Sequence, residues 1–285
     1  MKSCIFLLCW ILVFCTATES AAACTLFAAN GANKVLGGGT LIAKNRDWHP
    51  QPQELRLVTS GKYRYYGLFA GDAGKRMQLK GGVNEKGLAV FSASASSIPK
   101  KERLQMPHAS HGAMTTMLAN CANVDEALQH VECFVGPKFL LLADASQAAW
   151  VEVGPEGHFS IKKQQNGTLV HTNHYLDTTM EQYNVSIGES SRMRYQRMTA
   201  LLEQPAQPWK LEDFVQFSQD QAAGVDNSIW RSGSRLRGTQ TLAVMAVLLQ
   251  TGKSPRIYVK VRRQPMEKGR EDVYWLGGTE LFPGE

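Results

Sequence analysis

The stretch TESAAACTLFAANG, residues 18–31, decides how this chain reads, because Cys24 follows directly on three alanines. Upstream, Lys2 supplies a short charged start, CIFLLCWILVFC (Cys4 to Cys15) is an apolar run, and Ala21 to Ala23 are small residues that a signal peptidase accepts. Residues 1–23 therefore read as an export signal, and residues 24–285 as one mature domain that begins with cysteine, placed in the periplasm or outside the cell. An N-terminal cysteine carries a thiol and a free α-amine on one residue. In peptides that amine has a pKa of about 7.7–8.0 and the thiol about 8.5. Near neutrality, then, part of the amine is able to take the thiol proton. Two other readings compete at this junction: a plain first residue, and the lipid-attachment cysteine of a lipoprotein. Lipoprotein signals usually carry Leu three residues before the cysteine, where this chain has Ala21.

Removing 23 of the 285 residues leaves 262, enough for one large core. The apolar run of the signal is well short of the ~20 residues that span a bilayer, and no other segment comes close, so no membrane span is expected. Lys2 and Glu19 cancel, so the net charge of +6 belongs to the mature part. Its basic clusters, Arg231 to Arg237 and Lys260 to Arg263, lack interleaved aromatics and any nucleic-acid motif. They read as solvated loop and strand edges, with no nucleic-acid partner, and leave room for a small anionic molecule. Of six cysteines, only Cys24, Cys121 and Cys133 lie beyond the signal, and an odd number leaves at least one thiol unpaired. In a continuous helix Cys121 and Cys133 would stand about 18 Å apart, too far to bridge. Asn123 followed by Glu126 looks like a fresh helix start that would break such a helix. Both cysteines read as buried free thiols.

From Cys24 outward the first third alternates like strands: CTLFAANG, VLGGGTLIAKN, ELRLVTSG, YRYYGLFA, MQLKGG and GLAVFSAS. Asn84 and Gly87 suit the turn between the last two. A helical stretch, MTTMLANCANVDEALQHV, follows with a Met/Leu stripe that reads as core. Strands KFLLLADA, AAWVEVG, HFSIKKQ and GTLVHTN come next, then helices SRMRYQRMTALLEQ and KLEDFVQFSQDQA, then strands TQTLAVMAVLLQ, RIYVKVR and DVYWLGG. An α+β fold of four layers in the order αββα uses all these elements.

Several chemistries fail. GKS at Gly252 to Ser254 lacks the earlier glycine of a phosphate loop, and no HExxH, CxxC or GxSxG occurs. The seven histidines show no ligand spacing, and His171 and His174, which flank Asn173, read as structural. No metal and no cofactor is expected. What remains is Lys44, Asn45, Arg46 and Asp47 in AKNRDW, Asn173 in HTNHY, and Arg192 in SSRMR. A thiol that cleaves amides needs an oxyanion donor, a carboxylate for the α-ammonium and a cation that favours thiolate. Asn173, Asp47 and Arg192 have that chemistry.

With its Cys24-Thr25 opening, AKNRDW, GVNEKGLAV, MLANCANVDEAL, LLLADASQAAWVEV, HTN, SSR and GTQT (Gly238 to Thr241) in this order, the chain resembles the choloylglycine hydrolase and penicillin V acylase group of N-terminal-nucleophile (Ntn) hydrolases. Isopenicillin N acyltransferases and acid ceramidase are relatives of that group. The resemblance implies the αββα sandwich, with Cys24 as nucleophile and base, Asp47 on its amine, Asn173 as oxyanion donor and Arg192 as a charge near the thiol. Lys44 stands where the group often has Arg, so that substrate-facing role falls to Lys44 or Arg46. An Asn that the hydrolases have after the hairpin is replaced by SASASS, where Ser94 or a backbone N–H would serve. The short gap between the HTN-like and SSR-like elements argues against a bile-salt hydrolase tetramer; a homo-oligomer of some other kind stays open. The implied activity is cleavage of a linear, non-peptide amide in a small N-acyl substrate. Acyl transfer to another amine, and a non-catalytic lipoprotein, are the alternatives. Tyr63, Tyr65, Tyr66, Phe69 and Trp48 are candidate acyl-pocket residues or core.

Overall fold

In the computed structural model the described residues are 23–108, 112–204, 208–262, 270–278 and 281–283. Residues 1–22 of the expected signal, and Arg263 of the second basic cluster, lie outside them. The strands are β1 (Ala23–Asn30), β2 (Thr40–Trp48), β3 (Gln53–Val58), β4 (Tyr65–Ala70), β5 (Gln78–Asn84), β6 (Ala89–Ser94), β7 (Lys138–Ala143), β8 (Ala148–Val153), β9 (Phe159–Gln164), β10 (Gly167–His171), β11 (Gln240–Leu249), β12 (Arg256–Arg262) and β13 (Glu271–Leu276). The helices are α1 (Lys100–Arg103), α2 (Ala113–Asn120), α3 (Val124–Leu128), α4 (Glu189–Glu203), α5 (Leu211–Ser218) and α6 (Gly224–Asn227).

Two antiparallel sheets are stacked. One has six strands in the order β10-β1-β2-β11-β12-β13, the other seven in the order β3-β4-β5-β6-β7-β8-β9. Because successive side chains point to opposite faces of a strand, each central strand feeds two cores. On β1 and β2, Leu26, Ala28 and Ile42 point between the sheets, where they meet Phe91, Phe139, Leu141 and Met245. Phe27, Ala29, Leu41 and Ala43 point outward against Met198, Leu201, Phe214 and Trp209 of the α4–α5 layer. Across the sandwich, Val90, Leu140 and Val151 meet Met117, Leu118 and Leu128 of α2 and α3. Strands buried on both faces are why AVMAVLL in β11 reads as an unbroken apolar run. The expected αββα order is therefore the observed one, in an α+β fold.

The helical stretch breaks where Asn123 implied it would. Cys121 is extended and caps α2, and Asn123 Oδ1 accepts from the Glu126 N–H at 2.9 Å to start α3. Cys121 and Cys133 are buried and free. At the β5–β6 turn Gly87 takes φ +86°, a conformation that favours glycine. Asn84 accepts from Lys86 and Leu88 and donates to the Leu118 and Cys121 carbonyls, so this turn also holds the end of α2. Tyr65 and Phe69 lie in the core under α2. Among the described residues no helix is long and apolar enough to cross a membrane.

Candidate active site

Strand alternation sorts the AKNRDW segment into two faces. In the β1–β2 register Cys24 lies opposite Arg46, and Leu26 opposite Lys44. Cys24, Lys44 and Arg46 thus share the inter-sheet face, while Thr25, Asn45 and Asp47 face the α4–α5 layer. All six are buried.

On the thiol's face two cations are held by carbonyl and amide oxygens and form no ion pair with a carboxylate among the described residues. Lys44 Nζ donates to the carbonyls of Lys80 and Ser92, both at 2.5 Å, and so ties the six-stranded sheet to β5 and β6 of the other. Burial pushes its ammonium down to about 8, against the pull of the nearby Cys24 side chain. Arg46 is gripped by the side-chain oxygens of Gln51 and Gln53, and burial lowers it to about 10. Lys80 is likewise lowered to about 8 by burial and by Arg46.

The main chain of Cys24 is held on both sides. Its N–H donates to Asn173 Oδ1 at 2.9 Å, and its carbonyl accepts from Arg194 Nη1 at 2.6 Å. Arg194 also donates to Thr25 Oγ1 at 3.0 Å and to Asn173 Oδ1 at 2.9 Å. Asn173 Nδ2 donates to the backbone carbonyl of Ser94 at 2.9 Å, so Ser94 meets it through its main chain, with its hydroxyl 3.3 Å from that of Ser96. Ser191 at the start of α4 accepts from the Asn173 N–H at 3.0 Å.

Asp47 lies opposite Ala23, the residue before the proposed cut. Thr241 donates to its Oδ1 at 2.8 Å, while Oδ2 is buried with no hydrogen-bond partner among the described residues. Burial raises its pKa, and the guanidinium groups of Arg194 and Arg231 pull it back. Arg231 Nε is also buried with no hydrogen-bond partner among the described residues.

Sequence reasoning placed Arg192 near the thiol. The structure corrects this: Arg192 is exposed, and the guanidinium at Cys24 is that of Arg194. The physical reason is helical period. Ser191, Arg194, Met198 and Leu201 form the buried stripe of α4, whereas Arg192 is turned about two residues' worth of rotation from Arg194 and falls on the wet side. Counting back from the apolar Met198 and Leu201 would have identified Arg194. Glu152 had no sequence signal, and Arg231, read with its basic cluster as a solvated edge, is instead buried beside Asp47.

A shallow concavity of about 510 Å³ lies elsewhere, lined by Asp125, Glu126, Asp144 and Ser146 beside α3. Among the described residues no group of three or more His, Cys, Asp or Glu side chains is placed to hold a metal.

No curated protein sequence matches the chain. Among solved structures, a variant of the conjugated bile acid hydrolase from Clostridium perfringens is similar at 12% identity and a TM-score of 0.49, covering 92% of this chain and 99% of that one. The family model described as acyl-coenzyme A:6-aminopenicillanic acid acyl-transferase matches residues 35–262, a span that carries Lys44, Arg46, Asp47, Asn173, Arg194 and Thr241 and begins after Cys24. On that match the chain belongs to the acyl-coenzyme A:6-aminopenicillanic acid acyl-transferase family, within the Ntn group of hydrolases and acyltransferases.

Proposed function

We propose that this chain is an exported cysteine Ntn hydrolase, active after cleavage between Ala23 and Cys24, that cleaves a linear non-peptide amide. The observation that carries the proposal is the hold on the Cys24 main chain: Asn173 on its nitrogen, Arg194 on its carbonyl. A residue that merely opened a domain would have no use for a buried Asn–Arg clamp beside a buried carboxylate. Removing Ala23 turns the Cys24 N–H into an α-amine on the Asn173 side and leaves Asp47 Oδ2 free to accept from the ammonium form.

The chemistry then follows from the residues. The amine takes the thiol proton, and the cations of Lys44 and Arg46 favour the thiolate on their shared face. The thiolate attacks the amide carbonyl. The second N–H of Asn173 Nδ2 is the donor for the oxyanion, since the first is engaged by Ser94. The ammonium returns its proton to the departing amine, leaving an acyl-thioester, which water hydrolyses. The cluster of cations without carboxylate partners suits a substrate that carries negative charge, and no cofactor enters any step.

Acyl transfer is the second reading, favoured by the family's description. It keeps the same thioester and replaces water by an amine. The test is the purified processed protein incubated with penicillin V, bile-salt conjugates, N-acyl-homoserine lactones and N-acyl amino acids, with and without an added amine. Release of free acid supports hydrolysis, and acid replaced by a new amide supports transfer. An intact mass with a diacylglyceryl adduct on Cys24, and no turnover of any substrate, would leave the lipoprotein alternative standing.

A further inference from the structure

Two ionisable side chains with no solvent exposure stand outside the chemistry above: Glu152 on β8 and His171 at the end of β10. His171 Nε2 and Glu152 Oε1 are 2.8 Å apart, a contact that joins the seven-stranded sheet to the six-stranded one. Burying two ionisable groups is expensive, and apolar residues of similar volume often serve stability as well or better. Bulk stability is thus a weak reason for the pair.

The geometry offers a specific reason. Glu152 Oε1 also accepts from the Leu176 N–H at 2.7 Å, and the Asp177 N–H lies 3.4 and 3.3 Å from the two carboxylate oxygens. His171 precedes Asn173 by two residues and Leu176 follows it by three. One carboxylate therefore pins both ends of the segment that carries Asn173. Tyr175, inside that segment, donates its hydroxyl to the Val153 carbonyl at 3.0 Å, one residue further along β8. The His171 ring is fixed between Phe139, with centroids 4.2 Å apart, and Trp150, at 5.7 Å. The hydrogen bonds of Glu152 and His171 go to each other and to the main chain of Thr172, Leu176 and Asp177, and through that segment they set where the Asn173 carboxamide meets Cys24 and Arg194.

We infer that Glu152 is a positioning residue, which holds residues 171–176 at the span that brings Asn173 against Cys24. This rests on the reading of Cys24 as nucleophile. What the site needs from Glu152 is reach: an acceptor long enough to meet His171 and Leu176 together. A misplacement of about 1 Å near reacting groups costs on the order of 10²-fold in rate, so a shortened side chain should be felt at the thiol.

The test compares Glu152→Gln, which keeps the length and the Oε1 acceptor, with Glu152→Asp, which keeps the charge and loses one methylene. Two readouts are taken on processed protein: iodoacetamide alkylation of Cys24, and kcat and KM on whichever of penicillin V or the N-acyl amino acids the wild type hydrolyses. The expected result is Glu152→Gln within about threefold of wild type in both, and Glu152→Asp slower by roughly ten- to a hundredfold in kcat with KM little changed. Tolerance of Glu152→Asp with impairment of Glu152→Gln overturns the inference, as does a melting-temperature loss in Glu152→Asp with normal rates. Should Glu152→Asp not fold, a tenfold loss in Glu152→Gln is enough to overturn it and near-wild-type rates support it. Failure of the nucleophile reading shows separately, in a wild type whose Cys24 alkylates no faster than Cys121 or Cys133.

Discussion

Arg194 Nη1 donates to the carbonyl oxygen of Cys24 at 2.6 Å, from a position 170 residues later in the chain. Burial lowers this guanidinium to about 10, and the nearby Asp47 carboxylate pulls the other way. The fork of its donors reaches four acceptors at once, the Cys24 carbonyl, Thr25 Oγ1, Asn173 Oδ1 and Ser190 Oγ, which a lysine cannot reproduce. Arg194→Lys should therefore lower kcat by about tenfold or more. Arg194→Met, which strands those acceptors and Asp47, should cost about 2–4 kcal/mol of stability. Arg192→Ala should leave both nearly unchanged. Urea melts beside kcat measure the contrast, and equal effects at the two positions would remove the assignment.

Asn173 uses its two amide atoms differently, Oδ1 toward Cys24 and Arg194 and Nδ2 toward Ser94. Asn173→Asp keeps the acceptor and loses the donor. It should fold, and its kcat should drop by about 10²–10³, the usual cost of one oxyanion donor. Asn173→Ala should show that loss plus a lower melting temperature. A kcat in Asn173→Asp near that of wild type would assign the residue to anchoring alone.

Maturation should switch the enzyme on. A protein stably extended before Cys24 has an amide in place of the α-amine and should be inactive, whereas the processed form should turn over. Asp47→Asn keeps an oxygen for Thr241 and loses the charge that faces the new ammonium. In the processed form it should lower kcat by roughly a hundredfold. Activity of a stably extended protein, confirmed by intact mass, is the contrary result.

Lys44 should leave a pH signature. Its folded pKa of about 8 lies below the ordinary lysine value of 10.5. Between those values the unfolded chain holds the extra proton, so this group makes unfolding harder as pH rises. Buried Cys121, raised to about 11, works in the opposite sense, so the informative quantity is the difference between wild type and Lys44→Met. Wild type should gain on the variant by about 1–3 kcal/mol between pH 7.5 and 10. Urea titrations at four pH values would show it. A flat difference means that Lys44 is not desolvated as described.

Cys24 should be the reactive thiol. Burial raises Cys121 to about 11 and moves Cys133 in the same direction, while Cys24 shares its face with Lys44 and Arg46. Iodoacetamide at mildly acidic pH should label Cys24 at least about tenfold faster than the other two and abolish turnover. Peptide mass spectrometry over a time course reads the three rates. Equal rates, or a Cys24→Ala protein that keeps its activity, would sink the mechanism.

The sequence by itself determined the layers of this protein and the residue types of its site. Apolar alternation, glycine turns and helical stripes are local patterns, and they yield two sheets between two helical layers because each buried face must find another. The Ala23–Cys24 junction, AKNRDW and HTN were legible for the same reason: each is contiguous. Which residue of a pair turns inward was harder. Arg192 and Arg194 are two positions apart, and the buried stripe of α4 passes through Arg194, as a count back from the apolar Met198 and Leu201 shows. The tertiary structure alone decided the rest. Asp47 meets Thr241 across 194 residues, and Glu152 reaches back to both ends of the Asn173 segment from the opposite sheet. Such contacts depend on register and on how two sheets stack, and no local pattern in the chain encodes which buried polar atoms will then face each other.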